Sequence, residues 1–260
     1  MLNSSKWPTA KIISIVNSKG GVGKTNTAIN LAAGLAHFSR KVLLIDMDPQ
    51  GNTSRGYGID TSLVGKSIME VLTIECKIKE CIQPTIVNNL DIIPSKLIIS
   101  SFETTPEKKF FMLKKALTKL APLYDYILID CPPSLGVLTI NSLIASNSII
   151  IPIQCQYFAL NAVTQILANI ATVKSKYNPD LLVEGVVLTM YDPTSELDNE
   201  IASEIRYIFK EKTYTSRIPR TNSIPESNIR GIPVTMWRPS GKASTAYLGL
   251  AKEVMDAENN

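Results

Sequence analysis

The stretch Ser18-Lys19-Gly20-Gly21-Val22-Gly23-Lys24-Thr25 constrains this chain more than any other. It follows the apolar run Ile12-Ile13-Ser14-Ile15-Val16, whose β-branched residues read as a buried strand. Beyond it, Ile29, Leu31, Ala32, Leu35 and Phe38 recur at helical spacing and predict a helix over 27–38. Strand, glycine loop and helix in that order make a phosphate cradle. Backbone N–H groups of the loop point at an anion, and the helix N-terminus adds partial positive charge. Gly20, Gly21 and Gly23 permit a backbone approach that a Cβ would block, with Val22 between them. In such a loop Lys24 reaches the β- and γ-phosphates of a nucleotide and the Thr25 hydroxyl ligates Mg²⁺. The strict pattern G-x-x-x-x-G-K-[ST] fails at Ser18, and a second lysine, Lys19, stands at the front of the loop. The stretch marks a nucleotide site.

At 260 residues, the chain is expected to form one large domain, here 11–257 after a short extension at 1–10. No apolar run approaches the ~18 residues of a membrane span, and the first residues lack the apolar stretch of a signal peptide. Cys76, Cys81, Cys131 and Cys155 have no metal-type spacing, so reduced thiols in a cytoplasmic protein are expected. His37 is the single histidine, which argues against a histidine-based triad or a multi-histidine metal site; a surface or half-buried place is expected for it. The net charge of +4 is unevenly spread. Arg206, Lys210, Lys212, Arg217, Arg220, Arg230, Arg238 and Lys242 face only Glu211 and Glu226, so 206–242 carries +6 and the rest −2. A clustered basic tract suits a polyanion such as DNA, or simply a solvated surface.

Further along, Lys41-Val42-Leu43-Leu44-Ile45-Asp46 reads as a second buried strand running into the turn-forming Met47-Asp48-Pro49-Gln50-Gly51-Asn52. In a parallel sheet ligands gather at the carboxyl ends of strands, so Asp46 and Asp48 should face the phosphates and handle Mg²⁺ or water. A strand over 124–130 ends in Asp130 and is followed by Cys131-Pro132-Pro133-Ser134-Leu135-Gly136. An acid at that place is the Walker B arrangement, which holds Mg²⁺ directly or through water. Over 106–120, Phe110, Leu113, Ala116, Leu117 and Leu120 form one helical stripe. Lys108, Lys109, Lys114, Lys115 and Lys119 fill much of the remainder, either as a solvated face or as a secondary DNA contact. Strands are expected at 90–94, 148–153, 181–191 and 213–218, and helices at 159–176, 197–210 and 243–255. This alternation implies an α/β fold, a single mostly parallel twisted sheet with helices on both faces.

Together these residues closely resemble the ParA/Soj family of deviant Walker ATPases, in the wider class with MinD and nitrogenase iron protein. The resemblance runs from about Lys11 to Met255. Lys19 to Thr25 looks like the family's deviant P-loop, and Asp46 to Asn52 and Asp130 to Ser134 resemble its two switch segments. Ile151-Pro152-Ile153-Gln154, Tyr157-Phe158-Ala159-Leu160 and Ala246-Tyr247-Leu248 are similar to further blocks. The resemblance implies ATP and Mg²⁺ as cofactors and weak ATP hydrolysis. Lys19 would reach across an ATP-sandwich homodimer, Asp48 would position the attacking water, Thr25 would bind Mg²⁺ and Asp130 would hold it through water. Asn26 takes the usual place of a Thr beside the α-phosphate. In Ile218-Pro219-Arg220-Thr221, Pro219 and Thr221 match adenine-contacting positions, with Thr221 in place of the usual Asn, and Arg220 matches a DNA-binding arginine. Thr194 and Ser223 stand where many relatives are basic, leaving Arg230 and Arg238 to take over.

The implied function is chromosome or plasmid partitioning in the cytoplasm, on the nucleoid. The ATP dimer would bind double-stranded DNA without sequence preference and be released by a ParB-like activator. About ten residues before the first strand leave no room for a winged-helix domain, which leans toward the short chromosomal type. A MinD-like membrane switch would need a basic amphipathic C-terminus, whereas 251–260 is acidic and polar, so no membrane partner is expected. An iron–sulfur reductase is disfavoured by the placement of Cys76, Cys81 and Cys131. A ParA-like positioner of a protein cargo shares all of these motifs.

Overall fold

The computed structural model describes residues 10–97, 107–156 and 159–257. Strands β1 (Lys11–Ile15), β2 (Val42–Asp46), β3 (Gln83–Pro84), β4 (Leu90–Ile93), β5 (Tyr126–Asp130), β6 (Ser148–Gln154), β7 (Leu182–Tyr191) and β8 (Thr213–Pro219) form one sheet. Its order is β3-β4-β2-β5-β1-β6-β7-β8, parallel throughout except for the short β3 against β4. The expected α/β class, single mostly parallel sheet and flanking helices are therefore present.

The core follows from the twofold period of buried strands. Leu43 and Ile45 of β2, Ile127 and Ile129 of β5, and Ile149, Ile151 and Ile153 of β6 pack on one face. Val42 and Leu44, Tyr126 and Leu128, and Ile150 pack on the other, with Ile13 and Ile15 of β1. Apolar runs with no polar alternation thus bury both sides at once. On the second face α1 (Lys24–His37) lies against α10 (Lys242–Asp256). A Cβ at Gly34 would sit 2.9 Å from the Ala251 Cβ, so glycine sets the helix separation there. The first face is covered by α3 (Ile68–Leu72), α4 (Met112–Leu117), α5 (Val137–Ala145), α6 (Ala159–Lys176) and α7 (Glu196–Phe209).

The helix expected over 106–120 is shorter. A 3-10 turn, Glu107–Phe111, precedes α4, which ends at Leu117; Pro106 lies outside the described residues. The consecutive rings of Phe110 and Phe111 both meet the Tyr177 ring, at 5.7 and 6.3 Å. Lys109, Lys114, Lys115 and Lys119 are exposed. Helix α5 carries no readable period because buried Leu138, Asn141, Ser142, Leu143 and Ile144 surround it. The first helix begins at Lys24, three residues earlier than its apolar pattern suggests. His37 is exposed. Of the motif blocks, Tyr157 and Phe158 lie outside the described residues, as does most of the 1–10 extension.

Candidate functional site

Strand β1 is central, and the strands entered after it lie on both its sides, β5 and β2 to one and β6 onward to the other. A crevice outside the carboxyl ends of the strands is expected at such a reversal. The loops after β1, β2 and β5 meet there. Register places Asp130 opposite both Ile15 and Asp46, so carboxylates at two strand ends stand side by side.

The glycine loop is held from outside. The Asn17 side chain donates to the Pro152 carbonyl (2.7 Å) and accepts from the Lys19 N–H (2.9 Å), while the Thr189 hydroxyl on β7 donates to the Val22 carbonyl (2.8 Å). Gly23 caps α1 with φ 88°, a left-handed conformation that leaves the helix N-terminus without a side-chain cap and open to an anion. The Lys24 ammonium donates to the Lys19 carbonyl at 2.9 Å, and the residue as a whole is 7% exposed. Burial lowers its pKa, against the opposing charges of Asp130 and Asp48.

Beneath the loop, Asp130 is fully buried. One carboxylate oxygen accepts from Thr25 (2.8 Å) and Thr53 (2.6 Å), and the other has no partner among the described residues. Asp46, equally buried, accepts from the Ser54 N–H (2.8 Å) and hydroxyl (2.6 Å) and from the Asp48 N–H (3.2 Å). Burial first, then the neighbouring carboxylate, pushes Asp46 up to about 7. Burial likewise raises Asp130 to about 6, with Asp48 adding to it and the hydroxyl donors of Thr53 and Thr25 opposing it. Two buried carboxylates short of positive charge, one with a free oxygen beside a threonine hydroxyl, suit a hard divalent cation with oxygen ligands. Mg²⁺ fits the residues at Thr25 and Asp130. Asp46 has both oxygens occupied by its own loop.

A cleft of about 570 Å³ opens above, lined by Gly20, Gly21, Gly23, Lys24, Thr25, Asn26, Asp48 and residues of more distant segments. Half-buried Asp48 accepts from the Gln50 N–H at 2.9 Å, which fixes its loop. Lys19 is half-buried, is not part of the lining, and its ammonium has no partner among the described residues. At the far end Asn228, near the end of α8 (Ser223–Ile229), donates to the Asn26 side chain at 2.7 Å. Gln50, Asn52, Arg55, Gly56, Pro133, Asn228 and Ile229 complete the cleft and were not picked out as site residues in the sequence. Thr53 and Ser54 directly follow the Asp48-to-Asn52 block, so extending that motif would have found them; Asn228 and Thr189 carry no local signal. Pro219 ends β8 and Thr221 lies two residues beyond it, both outside the lining, and Thr221 instead accepts from the Ser223 N–H at 3.3 Å.

Of the basic residues, Arg220 is exposed with its N–H on the Tyr191 carbonyl (3.2 Å). Arg230 lies over the Trp237 ring at 4.1 Å, and Arg238 pairs with Glu226 at 3.2 Å. The last two are engaged locally; Arg220 has the freer charge.

A family model described as an AAA domain matches residues 10–183. The sporulation initiation inhibitor protein Soj of Bacillus subtilis (strain 168) is 42% identical over 94% of this chain and 98% of its own length. The chromosome partitioning protein ParA of Myxococcus xanthus (strain DK1622) is 42% identical over 96% of this chain and 89% of its own. Among solved structures, cobyrinic acid a,c-diamide synthase from Mycobacterium smegmatis, with bound ATP analog and magnesium, superposes with a TM-score of 0.84 at 30% identity, covering 96% of each chain. At such identity over nearly the whole length of both partners, this chain belongs to the ParA/Soj family of deviant Walker A ATPases.

Proposed function

We propose that this chain is a partitioning ATPase whose ATP-bound homodimer holds double-stranded DNA on the nucleoid and lets go after hydrolysis stimulated by a ParB-like partner. ATP hydrolysis itself follows from the family. The observation that carries the rest is Lys19: a half-buried ammonium at the front of the loop, unpartnered among the described residues and outside its own cleft. A charge held there serves a nucleotide bound elsewhere, and a facing copy of the same loop supplies one.

Phosphoryl transfer asks the protein for placement and neutralisation of charge. Lys24 and the loop N–H groups bind the β- and γ-phosphates. Thr25 and Asp130 would hold Mg²⁺, which would neutralise charge on the phosphate oxygens; Asp46 fixes the Ser54 and Asp48 backbone beside them. Asp48, at the cleft wall, orients the attacking water. Asn26, tied to Asn228, borders the α-phosphate end. Pro219 and Thr221 reach adenine only with a shift of the loop after β8. Lys19 of the facing copy acts in trans as an arginine finger does, worth about 10³-fold or more in turnover. Lys19→Ala should bind ATP yet sediment as a monomer and lose turnover, whereas Asp48→Ala should keep the ATP dimer and lose turnover. Full ATPase activity in Lys19→Ala returns the loop to a monomeric cradle and sinks the dimer reading.

A further inference from the structure

Far along the chain from the glycine loop, the sulfurs of Cys76 and Cys81 lie 3.3 Å apart. Both are free thiols, Cys76 half-buried and Cys81 buried. The chain is bent to bring them together. After α3, Ile74 takes φ 67°, a left-handed conformation costly for a β-branched residue, and the following 3-10 turn, Ile78–Cys81, carries Cys81 back. The Glu75 N–H donates to the Glu70 carbonyl (2.8 Å) and the Glu80 N–H to the Lys77 carbonyl (2.9 Å), while the side chains of Lys66 and Glu80 form an ion pair. Cys81 donates its thiol proton to the Ser67 carbonyl at 3.3 Å, at the capping-box start of α3. The two sulfurs therefore face each other across a turn pinned at both ends.

We infer that Cys76 and Cys81 are a redox pair that closes an intramolecular disulfide when the protein meets a disulfide oxidant such as oxidised glutathione. Bonding requires the sulfurs to approach by only about 1.2 Å, to the ~2.05 Å of a disulfide, which side-chain rotation supplies. In the first step the thiolate of Cys76, the accessible member, attacks one glutathione sulfur, and the S–S bond of the oxidant breaks to release one glutathione thiolate. In the second, Cys81 loses its proton and attacks the Cys76 sulfur, releasing the other glutathione. Two protein thiols are oxidised, one glutathione disulfide is reduced to two thiols, and the two protons pass to the two leaving thiolates. Burial, with the neighbouring sulfur, holds the Cys81 thiol up to about 12, so Cys76 starts the exchange. The disulfide also removes the proton donated to Ser67, freeing the first turn of α3 from that tie. Cys131 and Cys155 are buried, with no sulfur partner among the described residues, and burial lifts both to about 12. They are internal controls.

The test is to incubate the purified full chain with oxidised glutathione, alkylate the free thiols under denaturing conditions and map the tryptic peptides by mass spectrometry. Lys77 and Lys79 lie between the two cysteines, so the disulfide appears as two joined peptides that dithiothreitol separates. The free-thiol count should fall by two, with Cys131 and Cys155 still alkylated. The Cys81→Ser protein should stop at the first step and retain one glutathione on Cys76. The inference is overturned if wild-type Cys76 stays capped by glutathione, if the lost thiols are Cys131 or Cys155, or if the cross-link joins two chains. The wild-type map decides even if the variant folds poorly.

Discussion

Lys24 and Asp130 show how the site manages charge that it has taken out of water. The ammonium is destabilised by burial and the carboxylate is protonated more readily because of it, yet each lies within reach of the other's field. The anions exceed the cations: Asp46 and Asp130 are both raised, to about 7 and about 6, from an ordinary value of 3.8. Raised carboxylates mean that the folded chain binds more protons than the unfolded chain between those values. Their contribution to stability is therefore present at low pH and is lost as pH climbs through the folded values. In chelator and without nucleotide, the melting temperature should fall between about pH 5 and about pH 7 and level off above, at up to about 1.4 kcal/mol per pH unit for each group. Mg²⁺ with nucleotide should flatten that slope, because a bound cation replaces the protons. A metal-free profile that is flat or rises across this range would overturn the assignment of a charge-deficient pocket. At this scale the sequence was informative wherever a residue acts through its immediate neighbours. Lys24, Thr25 and Asp48 line or border the cleft as the motif spacing implied. The raised carboxylates were not legible, because burial and the distance between strand ends are properties of packing.

Elements were legible in proportion to how strongly their own pattern governs them. β-Branched runs such as 42–46 and 148–154 have few alternatives to a buried strand, and their ends were placed within a residue or two. Helix α6, bounded by Ala159 and Lys176, has the bounds its amphipathic period gave. α5 was missed because a helix buried on most sides loses its polar stripe. α8 and α9 (Val234–Trp237) were missed because each is too short to show a period. The close α1–α10 contact depends on one glycine. Gly34→Val should force the Ala251 side apart, costing about 1–3 kcal/mol and lowering the melting temperature. Gly65→Ala, where nothing lies within 4 Å of the added Cβ, should leave melting unchanged. Equal melting of the two variants would mean that α10 is free to shift.

For the whole molecule, one sheet order gathers the loops of three strands at one end, and the proposed DNA binding tests this arrangement from outside. Arg220 is exposed and its side chain makes no hydrogen bond or ion pair among the described residues, whereas Arg238 is already paired with Glu226 and Arg230 stacked on Trp237. With ATP and Mg²⁺, binding to unrelated duplexes should weaken steeply with salt. Arg220→Ala should weaken it uniformly across sequences and reduce the salt slope by about 1, with Arg238→Ala giving the smaller loss. Filter binding or anisotropy over a salt series measures both; a sequence-dependent loss, or none in Arg220→Ala, would remove Arg220 from the interface. By itself the sequence determined the α/β class and the strand, glycine loop and helix that open it, since each rests on residues a few positions apart whose spacing carries the physics. Only the tertiary structure decided that Asp46 and Asp130 stand opposite each other, because β5 enters the sheet between β1 and β2. It alone brought Asn228 to Asn26 across 202 positions, and left Lys19 beside the cradle instead of in it. Long-range pairings depend on strand order and on how helices stack, and no local spacing encodes either. The glycine loop is therefore readable as a phosphate cradle from its residues alone, whereas the place of Lys19 outside its own cleft is read only from the folded chain.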